Sequence, residues 1–273
     1  MPSPQSLTPT SPTTGSAHRW GPLWGHRPDD WAATEDQQRP TYEEALRRLD
    51  VGPGQHVLDV GCGSGVFLEL AARRDAVVHG IDASISLLDR ARARVPDADL
   101  RQADMEDLPY ADNMFDVVCG FNAFFFAQDM VAALREAGRV ARPGAPVLVQ
   151  VFGAPEDCDL EAAKAVLRPF LPAPPPGAPA APALWRPGAL EEIARAAGLT
   201  PTTAFDFNYA MDYPDAETLG RRLVATAGVA KLVGPEREPA IRAALVAALE
   251  PQRRADGTYH LNNAFHYIIA EAA

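Results

Sequence analysis

The chain has 273 residues, 47% of them hydrophobic, and a net charge of −11. That is enough apolar material for a real core, and such acidity argues against a nucleic-acid partner, which needs clustered Lys and Arg, and against an anionic membrane surface. No apolar run approaches the ~20 residues that span a bilayer, and the start lacks the basic and apolar blocks of a secretory signal. The three cysteines, Cys62, Cys119 and Cys158, are widely spaced and odd in number. This disfavours a disulfide framework or a zinc site and fits a reducing, cytoplasmic setting.

Residues 1–17 are rich in Ser, Thr, Pro and Gly and carry no charged side chain, so they read as a disordered tail. Residues 18–50 read as a helical cap, with a helix between Asp30 and Asp50 that breaks at Pro40. From Val51 a βα alternation begins, and residues 51–273 read as one domain. Strands are predicted at 56–60, 76–81, 99–103, 115–120 and 146–152, with helices at 65–74, 84–94 and 129–141 between them. Ser84 and Asp129 are the expected N-caps of the last two helices. The strands are short and apolar on both faces, the pattern of a parallel sheet covered by helices. In such sheets ligands bind beyond the carboxyl ends of the strands.

A further helix is expected near 157–168. Prolines then crowd the stretch from Pro169 to Pro187, which reads as a stiff extended connector. A helix at 188–198 and a strand at 199–213 follow. Two helices within about 215–250 read as an inserted substrate cap, and Tyr259 to Ala270 reads as the final strand.

The chemistry begins at Val57-Leu58-Asp59-Val60-Gly61-Cys62-Gly63-Ser64-Gly65, where an apolar strand ends in a glycine turn and a helix follows at once. Glycines remove every Cβ from the place where a ligand would approach the backbone. The helix aims its free N–H groups and positive dipole end at that place. This is the signature of a nucleotide-type cofactor site, but the spacing is not the GxGxxG of a dinucleotide fold. Asp-x-Gly-x-Gly-x-Gly resembles the class I S-adenosylmethionine-dependent methyltransferases. Gly80-Ile81-Asp82-Ala83-Ser84, Ala103-Asp104-Met105-Glu106-Asp107-Leu108-Pro109, Phe115-Asp116-Val117-Val118 and Leu134-Arg135-Glu136 through Gly144 extend the resemblance in the right order. It covers about residues 45–153 and is most similar to the small-molecule branch that includes the ubiquinone and menaquinone methyltransferases.

The resemblance implies a three-layer Rossmann-like α/β fold, with a mostly parallel seven-strand sheet and an antiparallel last strand. It implies S-adenosylmethionine as cofactor and S-adenosylhomocysteine as product. Asp82 would accept from the ribose hydroxyls, and Ala83 follows it against the cofactor. Asp104 would receive the adenine amino group, while the backbone of Met105 reaches a ring nitrogen. Asp59, Gly61, Cys62, Gly63 and Gly65 would surround the methionine end, and Phe121 would form the opposite wall. Methyl transfer from a sulfonium is an in-line displacement that needs orientation more than a catalytic triad, and no triad is visible.

The substrate is less legible. Phe121-Asn122-Ala123-Phe124-Phe125-Phe126 replaces the Asn/Asp-Pro-Pro-Tyr motif of enzymes that methylate exocyclic amines. That departure counts against such amines, and the aromatic run points either to a small apolar or aromatic substrate, such as a secondary metabolite or quinone precursor, or to Phe124–Phe126 packing between helices. Trp24, Asn122, Phe125 and Trp185 are the candidate substrate contacts. His260 and His266 lie on one face of the final strand and are the candidate bases. No spacing suggests a metal. A cofactor-assisted rearrangement or cyclisation, or cofactor binding without catalysis, are the other readings of this fold.

Overall fold

The computed structural model describes residues 15–171 and 183–273. The central sheet has seven strands: β1 (His56–Val60), β2 (Val77–Asp82), β3 (Asp99–Gln102), β4 (Val117–Phe121), β5 (Pro146–Phe152), β6 (Thr200–Tyr213) and β7 (Tyr259–Glu271). Their order is β3-β2-β1-β4-β5-β7-β6. Neighbours from β3 to β5 pair in parallel, and β7 runs antiparallel to both β5 and β6. The strand order switches direction between β1 and β4, β2 and β3 being added on one side of β1 and β4 and β5 on the other, so a crevice opens at their carboxyl ends.

The helices are α1 (Gly15–Trp24), α2 (Pro28–Glu35), α3 (Arg39–Arg48), α4 (Val66–Ala72), α5 (Ile85–Arg94), α6 (Met130–Val140), α7 (Leu160–Leu167), α8 (Ala189–Ala196), α9 (Ala216–Ala225) and α10 (Val229–Ala248). Ser84 caps α5 by accepting from Leu87 N at 3.3 Å. Asp129 caps α6 by accepting from Val131 N and Ala132 N, as its position before the apolar run predicts. Alternate residues of β1 enter opposite cores: Val57 packs with the helices of one face, Leu58 and Val60 with those of the other. Burial on both faces is why the strands read as continuous apolar runs.

The N-terminal segment departs from expectation. Residues 1–14 lie outside the described residues, but 15–17 begin α1 rather than continuing a tail. Asp104 is the reason: its Oδ2 accepts from Ala17 N at 2.8 Å and its Oδ1 from Ser16 Oγ at 2.9 Å. A carboxylate 87 positions away therefore caps the helix, a relation that local composition cannot reveal. The helical stretch is interrupted close to Pro40 as expected: α2 ends at Glu35 and α3 starts at Arg39, with Pro40 in its first turn, where the missing N–H is tolerated. The two predicted helices of 215–250 appear as α9 and α10, with Gly234 at φ 72 kinking the latter. Of the proline-rich stretch, residues 172–182 lie outside the described residues. Among the described residues no helix is long and apolar enough to cross a membrane.

Helices α1 and α2 are tied across the carboxyl ends of the strands. Ser86 Oγ donates to Gly25 O at 2.8 Å. Arg27 pairs with Glu238 of α10 at 2.6 Å, and Arg221 of α9 pairs with Asp30. The two helical segments that sequence patterning separates by almost 200 residues thus meet over one crevice.

Candidate functional site

The crevice holds a cavity of about 390 Å³ whose lining includes Gly61, Gly63, Asp82, Ala83, Met105, Phe121 and Asn122. That is the size range of small-molecule sites. Gly61, Gly63 and Gly65 have φ of 81°, 53° and 82°, a region that L side chains rarely adopt. A Cβ on Gly61 would lie 2.6 Å from the Ala123 Cβ. The turn is closed from below, as Gly61 N and Cys62 N both donate to Ile81 O at 2.8 and 2.9 Å. Gly61→Ala is expected to destabilise the chain by about 2 kcal/mol or more through backbone strain and the clash with Ala123. A lowered urea midpoint would show it; an unchanged one would contradict the turn geometry.

Asp82 ends β2 and joins the turn to the next helix. Its Oδ2 accepts from Gly63 N at 2.9 Å and its Oδ1 from Ser84 N at 2.7 Å. Burial pushes its pKa up to about 6, against the lowering effect of those two bonds. Asp59 is 3% exposed, and burial, then Glu35 and Asp82, hold its carboxyl well above the usual range. Its Oδ1 has no hydrogen-bond partner.

Glu35 was not legible in the sequence. It sits at the end of α2, is 3% exposed, and lines the cavity. Its Oε2 accepts from Ser64 N at 2.8 Å, and a Cβ on Gly63 would lie 2.7 Å from that oxygen. Burial pushes its pKa up to about 7.

The other predicted residues divide. Trp24 and Phe125 line the cavity, as does Phe126. Trp24 meets Trp31 and Phe126 edge-on, with ring centres 4.6 and 5.6 Å apart. Phe124 instead fills the core, lying where a Cβ on Gly120 would be. Asn122 holds φ 51°, donates from Nδ2 to Gln150 Oε1 at 3.3 Å, and leaves its Oδ1 without a partner. Gln150 Nε2 in turn donates to the Tyr267 hydroxyl at 2.7 Å. That relay fixes which way the Asn122 amide points.

Asp59, Cys62, Gly65 and Asp104 do not line the cavity. Gly65 packs against Ala91, and Asp104 is bonded to Ser16, Ala17 and Glu106. Burial raises the Cys62 thiol well above its ordinary pKa, which keeps it protonated and unreactive. Trp185 lies outside the lining, with Arg186 over its ring at 5.5 Å. The histidines share a sheet face as predicted, but neither lines the cavity. His260 pairs with Asp212 at 2.7 Å and His266 with Asp206 at 2.6 Å. Each is the cross-strand neighbour of its aspartate on β6, so an acidic partner strand, not a substrate, accounts for their positions.

Residues 58–149 match the family described as "Methyltransferase domain". Over this stretch, about a third of its length, the chain is similar to methyltransferase domains. The chain is 33% identical over 145 residues to a demethylmenaquinone methyltransferase of Renibacterium salmoninarum, covering 47% of this chain and 61% of that protein. It is 35% identical over 124 residues to the 27-O-demethylrifamycin SV methyltransferase of Amycolatopsis mediterranei, covering 40% of this chain and 46% of that one. The chain thus spans about half the length of these relatives. The YcgJ protein of Bacillus subtilis shares the fold, with a TM-score of 0.58 at 18% identity over 85% of this chain and 97% of its own.

The residues present fit the cofactor of this domain class. The glycine cradle has no room for side chains, the half-buried Asp82 lines the cavity, and aromatic and aliphatic side chains supply the remaining wall.

Proposed function

We propose that the chain transfers the methyl group of S-adenosylmethionine to a small, largely apolar organic molecule in the cytoplasm. One observation carries this reading: a single cavity is bounded by Gly61, Gly63, Asp82 and Ala83 on one side and by Trp20, Trp24, Phe125 and Phe126 on another. Cofactor and acceptor would therefore share one largely dry chamber. The cofactor supplies an electrophilic methyl on a sulfonium.

The chain's part is positioning. Asp82 and the backbone of Gly61 and Gly63 would hold the cofactor, Met105 and Ala83 would flank its adenosine part, and Phe121 would face them. Asp104 would contribute by fixing α1 over this region. The helices of 18–50 and 215–250 would form the substrate cap, joined by the Arg27–Glu238 and Arg221–Asp30 pairs. Excluding water lets orientation and fixed dipoles act at full strength. The unpartnered Asn122 Oδ1 would accept from a hydroxyl or amine of the acceptor molecule. The two relatives are named for demethylmenaquinone and 27-O-demethylrifamycin SV, which supports an organic, quinone-like acceptor in keeping with the aromatic wall.

The test is to incubate the chain with methyl-labelled cofactor and a panel of phenols, quinols and polyketide-like acids, and follow the label. Transfer to one class supports the proposal. A processed substrate without S-adenosylhomocysteine would replace it with a rearrangement, and failure to bind cofactor would remove both. On the active substrate, Asn122→Gly keeps the left-handed backbone conformation and deletes the amide. It is expected to lower kcat/KM about tenfold, the worth of one hydrogen bond in a dry site, with the cofactor KM unchanged.

A further inference from the structure

We propose that Glu35 is the acceptor for the α-ammonium group at the methionine end of the cofactor. This rests on the methyltransferase reading above and adds a residue outside the matched domain.

The argument begins with charge. Glu35 from α2 and Asp59 from β1 are each 3% exposed; Asp82 of β2 raises the charging cost of both, and Glu35 raises that of Asp59. The cation within reach is Arg94 of α5. Its guanidinium is already engaged by Asp36 at 3.0 Å, Glu69 at 3.0 Å and Ser64 O at 3.1 Å. Tyr42 of α3 and Cys62 of the turn also face this group, and burial keeps both neutral. The site therefore gathers acidic groups that share one counter-ion. Buried carboxylates persist where a function requires them. Among the described residues no such group is arranged to hold a metal ion, which leaves an organic cation.

Position then selects which cation. Glu35 lines the cavity and touches the glycine turn at Ser64 N, whereas Asp82 sits at the end of β2. A ligand with its ribose at Asp82 and its amino-acid part at the turn brings an ammonium to Glu35. Because Glu35 belongs to α2, the same contact would fasten the N-terminal helices over the bound cofactor.

A proton accompanies the binding. Burial holds Glu35 at about 7 without a cation, and an adjacent ammonium favours the ionised form. Below about pH 7 binding must then release a proton, and affinity rises with pH until Glu35 is already ionised. Asp82, at about 6, contributes the same sign at lower pH.

Calorimetry with two ligands tests this. S-adenosylhomocysteine carries the amino-acid part; 5′-methylthioadenosine retains the adenosine and thioether but lacks it. Glu35→Gln keeps the shape and can still accept from Ser64 N. It is expected to weaken S-adenosylhomocysteine at least tenfold and to leave methylthioadenosine within twofold. Wild-type binding of S-adenosylhomocysteine at pH 6.5 should release protons, seen as a heat that varies with the buffer's ionisation enthalpy, and the variant should release markedly fewer, leaving only the share of Asp82. Equal weakening of both ligands would overturn the proposal, since Glu35 would then only shape the turn. Unchanged affinity with slowed turnover would also overturn it, in favour of a base acting on the substrate. If the wild type binds neither ligand, the methyltransferase reading itself falls.

Discussion

Asp82→Ala is expected to weaken S-adenosylhomocysteine binding about thirtyfold or more, a loss of about 2 kcal/mol. Two effects act together. The ribose hydroxyls would lose a half-buried carboxylate acceptor, and bonds to ionised groups are the stronger kind. Gly63 N and Ser84 N would lose the oxygens that now lie 2.9 and 2.7 Å away, so the glycine cradle would loosen as well. Methylthioadenosine, which keeps the ribose, should weaken in parallel, in contrast to its expected indifference to Glu35→Gln. Titration calorimetry on a variant with an unaltered circular dichroism spectrum is the measurement. Unchanged affinity would remove Asp82 from the cofactor site.

The second large effect concerns the chain without cofactor. Its stability should fall as pH rises from about 5 to 8, and Glu35→Gln should remove a share on the order of 2–3 kcal/mol. The sign follows from the direction of the shift. In the unfolded chain Glu35 loses its proton near the ordinary carboxylate value, whereas in the folded chain it keeps it to about 7. Between these values the folded state binds more protons, so raising the pH favours unfolding. Asp82, raised to about 6, acts in the same direction. Urea midpoints at pH 5.5 and pH 8 should therefore diverge more for the wild type than for Glu35→Gln. Parallel pH dependence in the two would refute the burial of a chargeable Glu35. The same substitution is thus expected to stabilise the empty chain and weaken its ligand, the usual opposition between a functional site and stability.

Much of the central sheet was legible in the sequence because it is locally encoded. Short continuous apolar runs marked β1, β2, β4 and β5, and Ser84 and Asp129 announced the starts of α5 and α6. Glycines at 61, 63 and 65 marked a turn whose left-handed angles few other residues tolerate. The Phe124-Phe125-Phe126 run was ambiguous for a physical reason. Core and ligand wall are both apolar, and only the approach of the Phe124 ring to Gly120 sends it inward while its neighbours line the cavity. The histidines were ambiguous because a base and a cross-strand hydrogen-bond partner share the same residue type. Asp206 and Asp212 lie 60 and 48 positions from His266 and His260.

The sequence by itself determined the strand order's building blocks, the glycine turn and the domain class, since each rests on backbone preferences acting over a few residues. The tertiary structure decided which charges the turn meets. Glu35 and Asp36 are adjacent acidic residues with nothing local to separate them. Yet one is 3% exposed against the turn while the other is half in solvent, paired with Arg39 and Arg94. Helix α1 shows the same thing, because its start is fixed by Asp104, whose own position depends on β3. Desolvation and long-range pairing exist only once the chain has closed on itself, so the charges that surround the glycine turn belong to the fold.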